Sequence, residues 1–153
     1  MVKPGAVWVV IIVLFVALFA LWAHYNVSKK EANPYPDKYI HWHTNVSFIL
    51  CGVKQGIPRH DGTMIGPEVL HTHNDDIIHI EAQVRDPNEV KFGRFMDIVG
   101  VSFDKGRVFN YTDSKDGCGD GGNHTVKMYI NGVETDLFRD YLPRDKDQVL
   151  ITY

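Results

Sequence analysis

The sequence predicts an α+β protein, in which an N-terminal transmembrane helix is followed by a small strand-rich domain with one main helix. Three observations carry that expectation. Residues 5–23 (GAVWVVIIVLFVALFALWA) are nineteen residues without a charge. Several later segments alternate apolar and polar residues, as half-buried strands do. One later segment places Phe92, Phe95, Met96 and Val99 at i, i+3, i+4 and i+7, the spacing of a helix face.

Residues 5–23 would form a helix roughly 28 Å long at about 1.5 Å per residue, close to the thickness of a bilayer's hydrocarbon core. Trp8 lies near one end, and Trp22 and Tyr25 at the other, where amphipathic rings favour the interface. A cleaved signal peptide would have a shorter apolar core and a small-x-small site after it. Here the run ends in Trp22-Ala-His-Tyr25, so residues 1–25 are read as a retained anchor in a lipid bilayer, with His24 at the interface. Lys3 precedes the helix and Lys29 and Lys30 follow it beside Glu31, so charge alone does not orient it. Two other features put the C-terminal domain outside the cytoplasm. Glycosylation sequons stand at Asn26, Asn45, Asn110 and Asn123, against about one expected from average composition. The two cysteines, Cys51 and Cys118, outside a membrane usually form a disulfide; two unrelated buried thiols are the alternative.

Residues 26–39 (NVSKKEANPYPDKY) are polar, hold two prolines and show no apolar period, so they read as a linker. Residues 40–153 remain, 114 residues and enough for one core. All 19 acids and 15 of the 16 basic residues follow the anchor, which leaves a charge near −4 and no basic stripe. Nucleic acid is not an expected partner.

Within the domain, residues 40–51 (IHWHTNVSFILC) put Trp42, Thr44, Val46, Phe48 and Leu50 on one face of a strand. His41, His43, Asn45, Ser47 and Cys51 take the other, with Ile49 as the exception. Cys51-Gly52 opens a turn and a short return strand. Residues 69–81 (VLHTHNDDIIHIE) read as a hairpin turning at Asn74, Asp75 and Asp76. Asp86-Pro87 is expected to cap the main helix, and Gly100 to end it. Residues 125–131 alternate again, and Asn131-Gly132 is a hairpin turn. Phe138 to Leu142 is a short helical turn, residues 143–147 a polar loop and residues 148–153 the last strand. A strand pair, a helix and further strands suggest a β-grasp arrangement.

Five of the eight histidines, His41, His43, His71, His73 and His79, sit in or near H-x-H pairs. Residues i and i+2 of a strand share a face, so each pair projects together. A three-residue hairpin loop would set His71 opposite His79, about 5 Å apart at Cβ. It also keeps Leu70, Ile78 and Ile80 together on the other face, whereas an even loop would expel Ile78. If the two histidine strands are neighbours, four or five imidazoles converge on one transition-metal ion. Neutral imidazoles suit zinc, copper, iron or nickel, with copper or zinc the expected ion, and the absence of a cysteine or methionine cluster argues against a cuprous site. Asp75, Asp76 and Glu81 are candidate carboxylate ligands or acceptors for ring N–H groups. Surface histidines kept for solubility, a hydrogen-bonded network through Asn45, Ser47 and Thr72, and a pH-sensing cluster are the competing explanations. His60 and His124 fall in glycine-rich loops; they could join the site, but each alone reads as a loop residue.

These residues resemble a family of small, membrane-anchored, extracytoplasmic archaeal and bacterial proteins without a settled biochemical role. The family pattern is matched by His41-Trp-His43, Cys51-Gly52 and His71-Thr-His73-Asn-Asp-Asp-Ile-Ile-His79-Ile80. It continues with Gly93-Arg-Phe95 through Gly100-Val101, Ile130-Asn-Gly132 and Tyr141-Leu-Pro-Arg-Asp-Lys-Asp147. Family members often carry glycine where this chain has Asp76. Some carry a disulfide-isomerase label, which does not transfer to a chain without C-x-x-C.

The expected function is therefore an anchored, non-catalytic domain that holds a transition metal for storage, delivery or structural locking. An accessory subunit packed against other membrane-protein subunits is a second expectation. A metal-dependent hydrolase or oxidase is a third, with Glu81 or Asp75 as base. No Ser-His-Asp motif, nucleotide loop or H-E-x-x-H helix supports catalysis, and no catalytic residue is assigned.

Overall fold

The computed structural model describes residues 4–28 and 33–153. The chain forms two compact units, Met1–Asn33 and Pro34–Tyr153. The first contains helix α1 (Pro4–Ser28), 25 residues long. Its side chains are described at Trp8 and residues 11–23. Among the described residues, no helix is long and apolar enough to cross a membrane. The expected transmembrane span is therefore not supported by the structure. The side chains of His24, Tyr25 and Asn26, and the whole of Lys3, Lys29, Lys30 and Glu31, lie outside the described residues.

The second unit is α+β. Strand β1 (Ile40–Leu50) is its axis. A two-residue turn, Cys51 at φ 49° and Gly52 at φ 77°, folds the chain into β2 (Val53–Gln55), as a primed hairpin turn requires. Strand β3 (Ile77–Ala82) pairs antiparallel with β1 on the same edge, from Ile40↔Ala82 to Asn45↔Ile77. Asp86 does cap a helical turn, accepting a hydrogen bond from Asn88 N–H. That turn is the separate 3-10 segment Pro87–Val90, not the main helix. The break comes at Lys91, whose ψ of 142° is extended. Helix α2 (Phe92–Ile98) follows and buries Phe92, Phe95 and Met96. Gly100 ends it at φ 72°. There Gly100 N–H bonds Asp97 O and Val101 N–H bonds Met96 O, the two bonds of a Schellman cap.

Between α2 and the last strands lie short ladders that the sequence pattern does not announce. They are β4 (Phe103–Asp104), β5 (Arg107–Val108) and β6 (Tyr111–Thr112) in one sheet, and β7 (Ser114–Lys115) with β8 (Asn123–His124) in another. Two-residue strands are too short for alternation to show. The main sheet is completed by β9 (Lys127–Ile130), β10 (Val133–Thr135) and β11 (Gln148–Thr152). Asn131 and Gly132, both at positive φ, turn β9 into β10. Strand β11 runs parallel to β1 and antiparallel to β9. The sheet order is β10-β9-β11-β1, with β2 and β3 sharing the outer edge of β1.

The alternation of β1 is realised as expected. Val46, Phe48 and Leu50 join Ile78, Ile80, Phe92, Phe95, Met96, Met128 and Ile151 in one core. Tyr35, in the segment read as linker, is also buried there and donates its hydroxyl to Pro143 O. Gly93 lets α2 approach the 3-10 turn Phe138–Asp140, since a Cβ at Gly93 would stand 2.6 Å from Arg139 Cβ.

Cys51 and Cys118 are joined in a disulfide, 67 residues apart in sequence. It ties the β7–β8 loop to the β1–β2 turn. In the chain-entropy model a loop of that length contributes about 4 kcal/mol. The double substitution Cys51→Ser/Cys118→Ser is therefore expected to lower the unfolding free energy by about 4 kcal/mol in urea titrations. Reducing the wild-type chain should give the same loss.

Candidate metal centre

The histidines meet because of strand register. The β1–β3 pairing sets His43 opposite His79 and His41 opposite Glu81. On the far side of β3, a backbone bridge sets His71 opposite His79, the register a three-residue loop requires. His43, His79 and His71 thus form a row across three adjacent extended segments. His41, Glu81 and His73 flank it on the same side, opposite Ile78 and Ile80. The rings of His43 and His73 each lie 4.7 Å from that of His79, and His71 stacks on His79 at 5.3 Å.

The turn that makes this register has Asn74 at φ 61° and Asp76 at φ 62°, with Asp75 between. Asn74 is fixed from outside: its amide donates to His60 O and Gly62 O, and its side-chain oxygen accepts His60 N–H. Asp75 is the hub. Its Oδ1 accepts from the Thr72 hydroxyl at 3.0 Å and from Ile77 N–H at 3.2 Å. Its Oδ2 accepts from His79 Nε2 at 2.9 Å. Burial works against ionisation of Asp75, but the hydrogen bonds from His79, Thr72 and Ile77 outweigh it and hold the carboxyl at about 2.

Those contacts fix the protonation of the rings. His71 Nδ1 lies 2.9 Å from Glu68 O and His73 Nδ1 lies 2.6 Å from Thr63 O. A carbonyl only accepts, so each Nδ1 carries a proton, and in the neutral form of either ring Nε2 is the atom with the free lone pair. The two bare nitrogens are 3.2 Å apart. His79 is reversed: Nε2 donates to Asp75, and Nδ1 is buried with no hydrogen-bond partner. That Nδ1 stands 3.7 Å from Glu81 Oε1, which is also 4.0 Å from His71 Nε2. Burial lowers the pKa of His71, against the pull of the Glu68 carbonyl and of Glu81. Four lone-pair atoms therefore crowd one small volume. Four ligands at about 2.0–2.2 Å around a tetrahedral ion would be separated by roughly 3.3–3.6 Å.

His41 and His43 complete the cluster on its exposed side. Their Nε2 atoms are 3.1 Å apart, and His41 Nε2 is 3.0 Å from Glu81 Oε1. Two sets of ligand atoms result, each within 4.8 Å: His41, His43, His79 and Glu81, and His71, His73, His79 and Glu81. The five expected histidines are all brought together. Glu81, expected as a ligand or a supporting acceptor, lies among the ligand atoms themselves.

Asp76 is elsewhere. It accepts from Ile57 N–H at 2.7 Å and from Arg59 at 3.0 Å, pinning the chain after β2 rather than a histidine. His60 points to Val99 O. His124 belongs to the disulfide, with Nδ1 3.3 Å from Cys118 Sγ and Nε2 2.7 Å from Asp120 Oδ1. Of the network expected through Asn45, Ser47 and Thr72, Thr72 joins the rings through Asp75, which accepts from both Thr72 and His79. Asn45 and Ser47 instead line a polar cleft of about 480 Å³ with Lys54, Gln55 and Gln148, and no histidine lines it. The sequon residues Asn45, Asn110 and Asn123 are exposed.

No protein-family model, no curated protein and no solved structure matches the chain.

Removing the Asp75 carboxylate leaves the buried Thr72 hydroxyl and His79 Nε2–H without their acceptor. Asp75→Ala is expected to lower the unfolding free energy of the metal-free protein by about 1–3 kcal/mol in urea titrations. Asp76→Ala should leave metal binding near the wild-type level, because its bonds go to Ile57 and Arg59.

Proposed function

We propose that this chain is an extracytoplasmic, membrane-anchored module that holds a divalent transition-metal ion, copper or zinc, without catalysing a reaction on it. One observation carries the metal: ligand atoms of His71, His73, His79 and Glu81 lie within 4.8 Å of one another, and His79 Nδ1 is buried, without a hydrogen-bond partner and 3.7 Å from the Glu81 carboxylate. Lone pairs that face one another repel, and a metal cation between them turns that repulsion into binding. Each ring is oriented through its other nitrogen by a carbonyl or a carboxylate, the support that metal-ligating histidines require. The donor set of three imidazoles and one carboxylate suits zinc or oxidised copper better than cuprous ion. Anchoring is supported by the uncharged run of residues 5–23, and the outside location by the disulfide and the sequons. The resemblance to anchored extracytoplasmic proteins fits the same reading. So does a β-grasp-like arrangement, supported by the parallel central pair β1 and β11 and by α2 between the two strand groups.

Titration of the purified chain with Zn²⁺ is expected to show saturable binding that raises thermal stability and is reversed by a chelator. His73→Ala, which removes an exposed ring and leaves the core alone, should weaken the tight binding by tenfold or more. Binding unchanged in that variant would end the proposal. In cells, the chain should stay with the membrane through alkaline carbonate extraction, with residues 34–153 open to added protease on the outer face; release into the soluble fraction would remove the anchor.

A further inference from the structure

Resting on that metal-binding reading, we infer that the centre takes two ions, an inner one locked in place and an outer one that exchanges, with Glu81 shared between them.

The distances divide the ligands. Bonds of about 2.0–2.2 Å let ligand atoms of one ion stand at most roughly 4.4 Å apart. Among the described residues, no set of ligand atoms within 4.8 Å contains both the His41–His43 pair and the His71–His73 pair. One ion therefore cannot take both pairs as they stand. Yet each pair presents its Nε2 atoms together, at 3.1 Å and 3.2 Å. His79 has committed Nε2 to Asp75, so only its Nδ1 is left, and it serves one ion. A carboxylate is not so limited, because two oxygens with several lone pairs can bridge. Glu81 Oε1 sits between the pairs, 3.0 Å from His41 Nε2 and 4.0 Å from His71 Nε2.

Counting ligands then separates two roles. The inner position has His71, His73, His79 and Glu81, four protein ligands, which is a closed tetrahedral set. The His71 side chain is 2 % exposed, so water does not reach it readily. His79 lies within reach of both pairs and is assigned to the inner ion, so the outer position has His41, His43 and Glu81, three protein ligands, which leaves one coordination site to water. The His41 side chain is 58 % exposed. The inner ion would hold the sheet edge and the Asn74–Asp76 turn. The outer one would load and leave through solvent, as a store or a donor of the metal requires.

The test is stoichiometry, with Zn²⁺ alone as probe, by competition with a chromophoric chelator and elemental analysis of the full chain. Wild type should bind two ions in steps of different affinity. His41→Ala/His43→Ala should bind one, with the tight step within about threefold of wild type. His41→Gln/His43→Gln serves as a second version, and a thermal melt of each variant confirms that it folds. Visible spectra with Co²⁺ should show two phases in wild type and one in either double variant. A wild-type chain that saturates at one ion, or a double variant that still binds two, overturns the outer position and leaves the inner one standing. A wild-type chain that binds none overturns both the outer position and the metal reading beneath it.

Discussion

The site depends on the register of β3 between β1 and the segment that carries His71. Side chains alternate along a strand, so a slip of one residue would carry Ile78 and Ile80 out of the core and turn His79 and Glu81 into it. Fully burying an isoleucine is worth about 1.5–3 kcal/mol, and burying a charged carboxylate without partners costs more than that gain. The apolar residues therefore hold the register, and the register holds the imidazoles. Nothing among the imidazoles themselves would do it. Bare nitrogens about 3 Å apart do not attract one another, and the cluster exists because the opposite face of the same strands is packed.

The turn between the histidine strands divides its work among three polar residues. Asn74 and Asp76 supply left-handed backbone, and each spends its side chain on the neighbouring loop. Glycine at position 76 would supply the backbone freely, but it would lose the bond to Ile57. Asp75, in ordinary backbone, is left to face the centre. It ties together the buried Thr72 hydroxyl, the start of β3 and the proton on His79 Nε2. The choice of ligating nitrogen on His79 is thus made by the turn rather than by the strand that carries the residue.

Much of this was legible in the sequence. Period-two alternation located β1, β3 and β9, because each has one face in the core. The three-residue loop followed from the need to keep Ile78 inside, and it gave the His71–His79 pairing directly. The cysteine pair followed from compartment and number. Other features had no signal of their own. The edge shared by β2 and β3 on β1 is a tertiary choice, and so is the parallel pairing of β1 with β11. Asp86 caps a helical turn as its sequence suggests, but the extended backbone at Lys91 divides that turn from α2. The ladders from Phe103 to His124 are too short to alternate. The carboxylates could not be ranked in advance either. Asp75, Asp76 and Glu81 are alike in composition and separate only by direction: one orients a ring, one pins a loop and one enters the ligand set.

The same geometry bears on whether the centre does chemistry. A hydrolytic metal site needs an open coordination position and a base free to take a proton from bound water. The two carboxylates that might have been that base are both occupied. Asp75 is ionised, but one oxygen accepts from Thr72 and Ile77 and the other from His79, so no lone pair is aimed at a substrate. Glu81 lies at ligand distance from both histidine pairs. In the two-ion proposal the inner set fills a tetrahedron with protein atoms, and the outer one leaves a position to water. An arrangement that buries an unpartnered imidazole nitrogen gives up about 1–3 kcal/mol in the metal-free state. A disulfide at the far end of β1, about 4 kcal/mol in the chain-entropy model, is enough to offset it. Holding an ion, as proposed, would repay such a loss whenever the ion is present, and Asp75 and Glu81 both already have a structural or ligand-distance partner.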